Sequence, residues 1–455
     1  MSFRNKAWFA LAVLFAINTM NFFDRQILGA VGETIRDEWK LSDTALGSLG
    51  TAFTLLYAAV GVPLGRLTDK FTRKWLLALG VTVWSAFTWF SGIARNFSQL
   101  FYARLGVGVG EAVCAPASTS LIGDLFPASK RGRALSIFMF GLPLGIALSY
   151  FVSSWVEQKY NWRAAFYIAT IPGLVCALFA MMMREPKRGA SEVHNISNLK
   201  REGSPYLLVL SIPTMWWIIA SGALHNFNMY AIGAFLAPFL RRVHHLDKLD
   251  AGLVSMVAYG LSGIPGLFLG GIIGDAIMRR KANGRLLVGS VAVLISVPLV
   301  YLALGRPVGD TVGFTTLMTL GLATMYVYYS TVYSTIQDVI EPSLRGTAMA
   351  IYFFAMYVLG ASLGPVGMGA LSNYFTERAA IANGVTDMSF DALKPYAPQG
   401  LHSALYIIPV LSILLALVLF AGSRTVIKDM DKLQHWMRES ARKQEAEDAK
   451  AEAAL

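Results

Sequence analysis

Charge and cysteine are both scarce in this chain of 455 residues: charged side chains make up 15% of it and there are two cysteines. With 55% hydrophobic residues and a mean hydropathy of +0.51, the chain is too apolar for an ordinary soluble protein of its length. Cys114 and Cys176 both lie in apolar segments, without metal-ligand spacing or a disulfide framework, and read as packing residues. The six histidines are scattered, and no HExxH, CxxC or P-loop pattern occurs. Neither a metal centre nor an ATPase is visible, and an enzyme working on lipid head groups lacks a reactive constellation. The expectation is a protein that is not an enzyme, with no metal and no cofactor.

What is abundant is apolar sequence in long runs. About 20 residues of helix cross the roughly 30 Å hydrocarbon core of a bilayer. Such runs occupy about residues 7–28, 44–64, 75–94, 97–122, 132–156, 163–183, 210–240, 251–274, 286–304, 312–337, 346–371 and 402–422, twelve in all. The first run follows Arg4 and Lys6 like a signal peptide, but it continues to Leu28 with no small-residue cleavage site and reads as an uncleaved span.

The formal net charge of +11 raises the question of nucleic acid, and the distribution of the basic residues answers it. If the N-terminus is cytoplasmic, 26 Lys and Arg fall in inside segments and 11 in outside loops, while Arg25 and Arg104 lie within spans and complete the 39. This positive-inside bias survives removal of the C-terminal tail, at 19 against 11. Both termini are expected in the cytoplasm, with a basic surface toward anionic lipid and no nucleic-acid partner.

Comparing the chain with itself exposes a repeat. DLFPASKRGRALSI at 124–137 aligns without gaps on DVIEPSLRGTAMAI at 338–351, sharing Asp124/Asp338, Ser129/Ser343, Arg131/Arg345, Gly132/Gly346, Ala134/Ala348 and Ile137/Ile351 at an offset of 214. At an offset of 206, Gly65 and Asp69 match Gly271 and Asp275, each pair followed by a basic cluster. Two six-helix halves follow, at 1–183 and 207–422, joined by a polar linker at 184–206. An irregular outside stretch at 373–400 precedes the last span as a candidate cover for the extracellular mouth. In the tail at 423–455, Val426, Met430, Leu433 and Met437 form a stripe flanked by Ile427 and Trp436, which suggests a helix lying on the membrane surface; beyond Glu439 the sequence is rich in Ala, Glu and Lys.

At these residues the chain resembles the major facilitator superfamily. The resemblance implies an all-α membrane protein of twelve transmembrane helices in two pseudo-symmetric six-helix bundles that rock around a central site. GRLTDKFTRK at 65–74 is similar to the family's motif between helices 2 and 3, although Thr72 replaces its usual second glycine. The family pattern then implies a cytoplasmic gate drawn from Asp69, Arg73, Asp124, Arg131, Asp275, Asp338 and Arg345, against the plainer reading of loop solvation. Helix 4 carries Arg104, Gly108, Gly110 and Glu111, similar to the family's Arg-xxx-Gly-x-Gly motif, with Arg104 and Glu111 on one face two turns apart.

Helix 1 adds Asp24 and Arg25 to Arg104 and Glu111, and four ionisable groups at membrane depth must face a cavity or one another. Adjacent helix residues do not face each other, so Arg25 need not pair with Asp24. Either Asp24 and Glu111 carry the coupling proton while Arg25 and Arg104 tune them or hold an anionic head group, or the four are a static ion-pair network. The DRQ of helix 1, RLGVGVGEA of helix 4 and DLFPASKRGRA together look most like the Spinster branch, which implies lysolipid or sphingolipid-like substrates. Organic acid symporters and drug exporters of the same superfamily are the rivals, and a non-transporting sensor or scaffold is the alternative of another class.

The second half is poorer in charge and richer in amphipathic residues: His225, Asn226, Asn228 and Tyr230 in helix 7, Tyr326, Tyr329, Tyr333 and Gln337 in helix 10, and Tyr352, Phe353 and Tyr357 in helix 11. These residues either wall a substrate cavity or pack. The whole reads as a proton-coupled secondary transporter with alternating access, powered by the proton gradient. The expected partners are an amphiphilic small molecule and membrane lipids, the expected state a monomer, and the expected location a bacterial inner membrane.

Overall fold

Inside a bilayer only a helix or a closed barrel satisfies its own backbone N–H and C=O groups, so apolar runs of this length become helices. The computed structural model describes residues 3–186, 204–341 and 344–453. No strand occurs among them. The first half comprises α1 (Phe3–Trp39), α2 (Asp43–Lys70), α3 (Arg73–Ile93), α4 (Phe97–Leu125), α5 (Lys130–Lys159) and α6 (Trp162–Met182). The second comprises α7 (Pro213–Val243), α8 (Lys248–Met278), α9 (Gly284–Leu304), α10 (Thr311–Val339), α11 (Arg345–Ala382) and α12 (Ile407–Ala453). Most of the linker, 187–203, lies outside the described residues.

Ten of the twelve are long and apolar enough to cross a membrane by composition; α7 and α10 fall short. The reason is chemical. At 31 and 29 residues both are long enough, but α7 carries His225, Asn226, Asn228, Arg241 and Arg242, and α10 carries Tyr326, Tyr328, Tyr329 and Tyr333. All but a few of these side chains are buried in the protein and make no demand on lipid. At the face away from the chain termini five of the connections are short and the helices that follow them are capped. Ser42, Asn96, Asn161, Asp247 and Asp310 each accept from the backbone N–H three residues on, opening α2, α4, α6, α8 and α10.

Packing differs between the two ends of the molecule. On the face away from the termini one apolar core runs through both halves, from Ile27, Val31 and Ile35 of α1 through Tyr150 of α5 to Phe235, Phe239 and Met368 of the second half. On the termini face the core divides into one cluster in the first half, around Leu14, Leu77 and Trp84, and another in the second, around Val332, Tyr352 and Leu415. The halves therefore touch at one end and separate at the other. The closeness of the contact shows at Gly47 of α2, where an added Cβ would sit 2.2 Å from the carbonyl oxygen of Pro365 in α11.

Four local features depart from the sequence reading. The first helix does not stop near Leu28 but runs to Trp39, because the polar turn that follows is buried by ion pairs. The fourth run is broken at Ala112 and Val113. Much of the stretch at 373–400 is helical: α11 continues to Ala382, and Phe390–Leu393 and Ala397–Leu405 form two short helices. The tail is no separate surface helix. It extends α12 to 47 residues, about 70 Å at 1.5 Å per residue.

The reason for the last correction is that the tail's stripe has a protein surface to cover. Val426 is buried and Met430 packs against the same cluster, together with Val209 of the short helix Pro205–Leu210, Ile212 and Ile340, while Met437 stays exposed. Asp429 accepts from the backbone N–H of Thr214 at 3.0 Å and from its hydroxyl at 2.6 Å, capping α7 from outside its own sequence. Asp429→Ala leaves the buried N–H of Thr214 unpaired, while the Thr214 hydroxyl keeps Thr425 at 2.8 Å. It should cost about 1–3 kcal/mol, read as a lowered thermal midpoint of the purified protein in detergent; an unchanged midpoint would mean that the extension does not hold α7.

Candidate functional site

The charged residues of α1 and α4 meet at mid-depth between the halves. Asp24 and Arg25, adjacent in sequence, point to different helices, as the 100° step between neighbours requires. Asp24 faces α3, where Thr88 donates its hydroxyl to Oδ2 at 2.9 Å, and its Oδ1 has no hydrogen-bond partner. Arg25 crosses to α4, its Nε donating to Glu111 Oε2 at 2.8 Å. Its Nη1 reaches the other half, donating to the hydroxyls of Tyr357 at 3.0 Å and Tyr230 at 3.4 Å. The guanidinium also lies over the ring of Tyr57, 4.4 Å from its centroid.

Arg104 is different. Fully buried, it makes no ion pair within 4.0 Å among the described residues; its Nε and Nη1 have no hydrogen-bond partner, and Phe53 lies 5.3 Å from its charge. With Arg25, Gln26, Thr54, Tyr230 and Pro365 it lines a small cavity between α1, α2, α4, α7 and α11. The glycines of the motif let α4 approach its neighbours: a Cβ on Gly110 would stand 2.5 Å from the backbone nitrogen of Trp84 in α3. Arg104 thus offers buried, unpaired donors suited to an anionic group.

The amphipathic residues of the second half divide into two sets. Tyr230, Tyr329, Tyr333, Phe353 and Tyr357 keep partial exposure, with Tyr230 and Tyr357 on the side of Arg25, and Gln337 lies further out and exposed. Asn226 accepts from the Tyr329 hydroxyl at 3.3 Å. Asn228 is misplaced by the sequence reading: it turns to α12, bonding Ser412 at 3.1 Å, because it lies two residues from both Asn226 and Tyr230 and two helix steps put it on the opposite face. Tyr326 and Tyr352 are also buried away from the cavity, the first donating to the carbonyl of Tyr259 and the second bonded to the Tyr328 hydroxyl. His225 lies buried against Tyr328.

The expected gate residues are placed within the halves. Arg73 pairs with Asp124 and with Glu185, the latter at 2.9 Å; Arg285 pairs with Asp338 and, at 2.7 Å, with Asp275. The side chain of Asp69 lies outside the described residues. Arg131 donates to the carbonyl of Gly123 in its own half, and Arg345 opens α11 and is exposed. Arg73 with Asp124, and Arg285 with Asp338 and Asp275, thus brace each bundle internally on this face. Thr72 sits at φ −65°, extended backbone that needs no glycine.

The connection between halves lies at the opposite face, on residues that the sequence reading did not single out. Arg242 of α7 donates to both oxygens of Glu33 in α1 at 2.8 Å and to both oxygens of Asp43 at 2.8 Å. Arg36 adds a contact to Asp43 at 2.8 Å, and Ser372 of α11 donates to it at 2.6 Å. Buried Glu157 of α5 faces Arg241 at 3.6 Å and Lys248 at 3.5 Å. Over them, Asp391 and Lys394 of the 373–400 stretch pair with Lys40 at 2.5 Å and Asp37 at 3.2 Å. Hydropathy took Glu33, Arg36 and Arg242 for loop residues; Arg285 stands 212 residues after Arg73, an offset that matches neither repeat, so only the structure shows the two as counterparts.

A model of the Major Facilitator Superfamily matches residues 14–365. The chain belongs to that superfamily. Its similarity within it lies with the Spinster branch: it is 27% identical over 377 residues to protein spinster of Drosophila melanogaster, covering 80% of this chain and 62% of that relative's length. An MFS-type efflux pump of Mycolicibacterium smegmatis is 26% identical over 373 residues, covering 82% and 86%. A solved bacterial homolog to the human lysosomal transporter Spinster, inward-facing and unoccupied, superposes with a TM-score of 0.82 at 26% identity, covering 93% of this chain and 98% of the other. The fold is the superfamily's twelve-helix, two-bundle fold.

One serine-hydrolase spacing does occur, Gly360-Ala-Ser362-Leu-Gly364, but Ser362 lies within α11 and donates to the carbonyl of Val358 four residues back, not on a strand-to-helix elbow. Removing one partner from a buried ion-pair network costs about 3–5 kcal/mol. Arg242→Ala should therefore open the face away from the termini. A cysteine introduced at Ala234, in the cavity wall, should react faster with an impermeant thiol reagent applied from that face; an unchanged rate would mean that other contacts keep the face closed.

Proposed function

We propose that this member of the superfamily is a proton-coupled secondary transporter moving a lysolipid or sphingolipid-like amphiphile by alternating access. The observation that carries the reading is the position of Arg25, which ties the Glu111 carboxylate of one half to Tyr230 and Tyr357 of the other. Protonating Glu111 removes the charge that holds the guanidinium, and the mid-depth connection between halves then depends on a proton. Asp24, held by Thr88 with one oxygen open, is the primary acceptor, and Glu111 the relay. Breaking a buried charge pair costs about 3–5 kcal/mol, the larger part of the roughly 5.5 kcal/mol that swings a two-state equilibrium from 1:99 to 99:1.

The substrate reading rests on the asymmetry of the cavity. Arg104, with unpaired donors, takes the anionic head group, and the aromatic side chains of α10 and α11 take the apolar chain. The likeness to spinster proteins supports this class. The likeness to an efflux pump supports the drug-exporting alternative, and organic acids are the second rival. With the termini in the cytoplasm, as the basic-residue bias indicates, the open face is the inner one, in keeping with the inward-facing relative. The bacterial inner membrane is the location, a monomer the working unit, and the proton gradient the only energy source.

Two measurements in reconstituted vesicles test the reading. Proton-driven flux of a lysophospholipid, a sphingoid phosphate and a small organic acid should favour the amphiphiles, and preference for the acid would defeat the substrate class. Asp24→Asn should abolish the dependence of flux on the pH gradient while leaving the protein folded. Proton-coupled uptake at the wild-type level in that variant would remove Asp24 from the coupling role. Arg104→Ala should raise the KM for the anionic amphiphile by about tenfold or more, the worth of a charge-assisted hydrogen bond.

A further inference from the structure

The C-terminal half holds a fully buried titratable group beside the cavity's tyrosines that the cycle above leaves unused. His225 of α7 is fully buried, and neither ring nitrogen has a hydrogen-bond partner. Its ring stacks on Tyr328 with centroids 3.9 Å apart and planes 15° from parallel, and Tyr329 meets it edge-on at 4.7 Å. A neutral imidazole always presents one N–H donor and one acceptor. Packing alone would be better served at this position by a phenyl ring, which fills the same slot with no polar atom to desolvate.

The surroundings are polar, yet their hydrogen bonds bypass the imidazole. The Tyr328 hydroxyl is bonded to Ser221 at 2.8 Å and to Tyr352 of α11 at 3.1 Å. Asn226 gives its amide to the Gly222 carbonyl at 2.9 Å and takes the Tyr329 hydroxyl at 3.3 Å. The titratable groups facing the ring are thus Tyr328 and Tyr329 from α10, with Tyr352 from α11 behind them, and among the described residues it makes no ion pair. Tyr329 keeps partial exposure, so a single side chain and its long hydrogen bond to Asn226 stand in front of the imidazole.

We propose that His225 is a second proton-binding site of the transport cycle, shut behind Tyr329 and Asn226 in this conformation and opened to the central cavity when the halves exchange faces. A cation on this ring has no counter-charge in the present packing, so binding the proton and keeping this arrangement are incompatible. Protonation therefore selects the conformation in which Tyr329 and Asn226 part and water or an anionic head group reaches the ring. The proposal rests on the proton-coupled reading and adds a site on the half that Asp24 and Glu111 do not occupy.

The test pairs reactivity with transport. Diethyl pyrocarbonate modification of His225, read by peptide mass spectrometry in reconstituted protein, should be slow in the wild type and faster by about tenfold or more when Arg242→Ala shifts the population to the other conformation. His225→Gln and His225→Phe, both unable to protonate, should lose the step of the pH–flux profile near the ordinary imidazole range, about pH 6.5. A ring that stays unreactive in both proteins, with wild-type pH profiles in both His225 variants, would overturn the proposal and make the residue a packing element. If Asp24→Asn alone removes proton dependence while the His225 variants keep it, this site fails and the coupled transporter stands. Wild-type flux that ignores pH defeats both.

Discussion

A charge inside an apolar bundle has to find its partner within the protein, and in this chain the partners lie on other helices. That requirement organises the molecule at two depths. At the face away from the termini, Arg242 of α7 is shared by Glu33 of α1 and Asp43 of α2, so the second half cannot leave the first without stranding that cation, while the carboxylates keep only Arg36. At mid-depth Arg25 couples α4 to α7 and α11 through Glu111, Tyr230 and Tyr357. Each guanidinium is planar and carries five donors in a fixed fork, which lets Arg242 bridge carboxylates on two helices with both oxygens of each engaged, a geometry that the compact ammonium of a lysine does not offer.

The apolar packing follows the same division. Where the arginine network joins the halves a single core forms across them, and small residues such as Gly47 allow backbones within contact of each other. On the termini face each half keeps a core of its own. The repeated pairs Arg73 with Asp124 and Arg285 with Asp338 brace the ends of α3 with α4 and of α9 with α10, so each bundle has a rigid rim on the open side. Bending a close-packed bundle would open cavities throughout it, so each half resists internal deformation.

Much of the fold was legible in the sequence, since helices of this length follow from hydropathy and the repeat divides them into two sets of six. Legibility failed where burial came from pairing. Glu33, Arg36 and Arg242 look like loop residues on any hydropathy scale, and only the neighbouring helices reveal that they are interior. The tail misled in the opposite sense: the stripe of Val426, Met430 and Leu433 was correctly seen as amphipathic, but a stripe does not say whether lipid or protein will cover it. Within the site, Thr88 carried no signal at all, one threonine among many, although it is the hydrogen-bond donor to Asp24.

The sequence by itself determined the class of molecule, the number of helices, the internal repeat and the presence of Asp24, Arg25, Arg104 and Glu111 at membrane depth, because each depends on composition and spacing along one chain. The tertiary structure alone decided which charge meets which: Arg25 with Glu111 and not with Asp24, Arg104 with no carboxylate, and Asn228 with α12 in place of the cavity. It also decided which end is closed. Such choices depend on the rotation and approach of helices far apart in sequence, and the free energy of a buried charge depends on its neighbours in space.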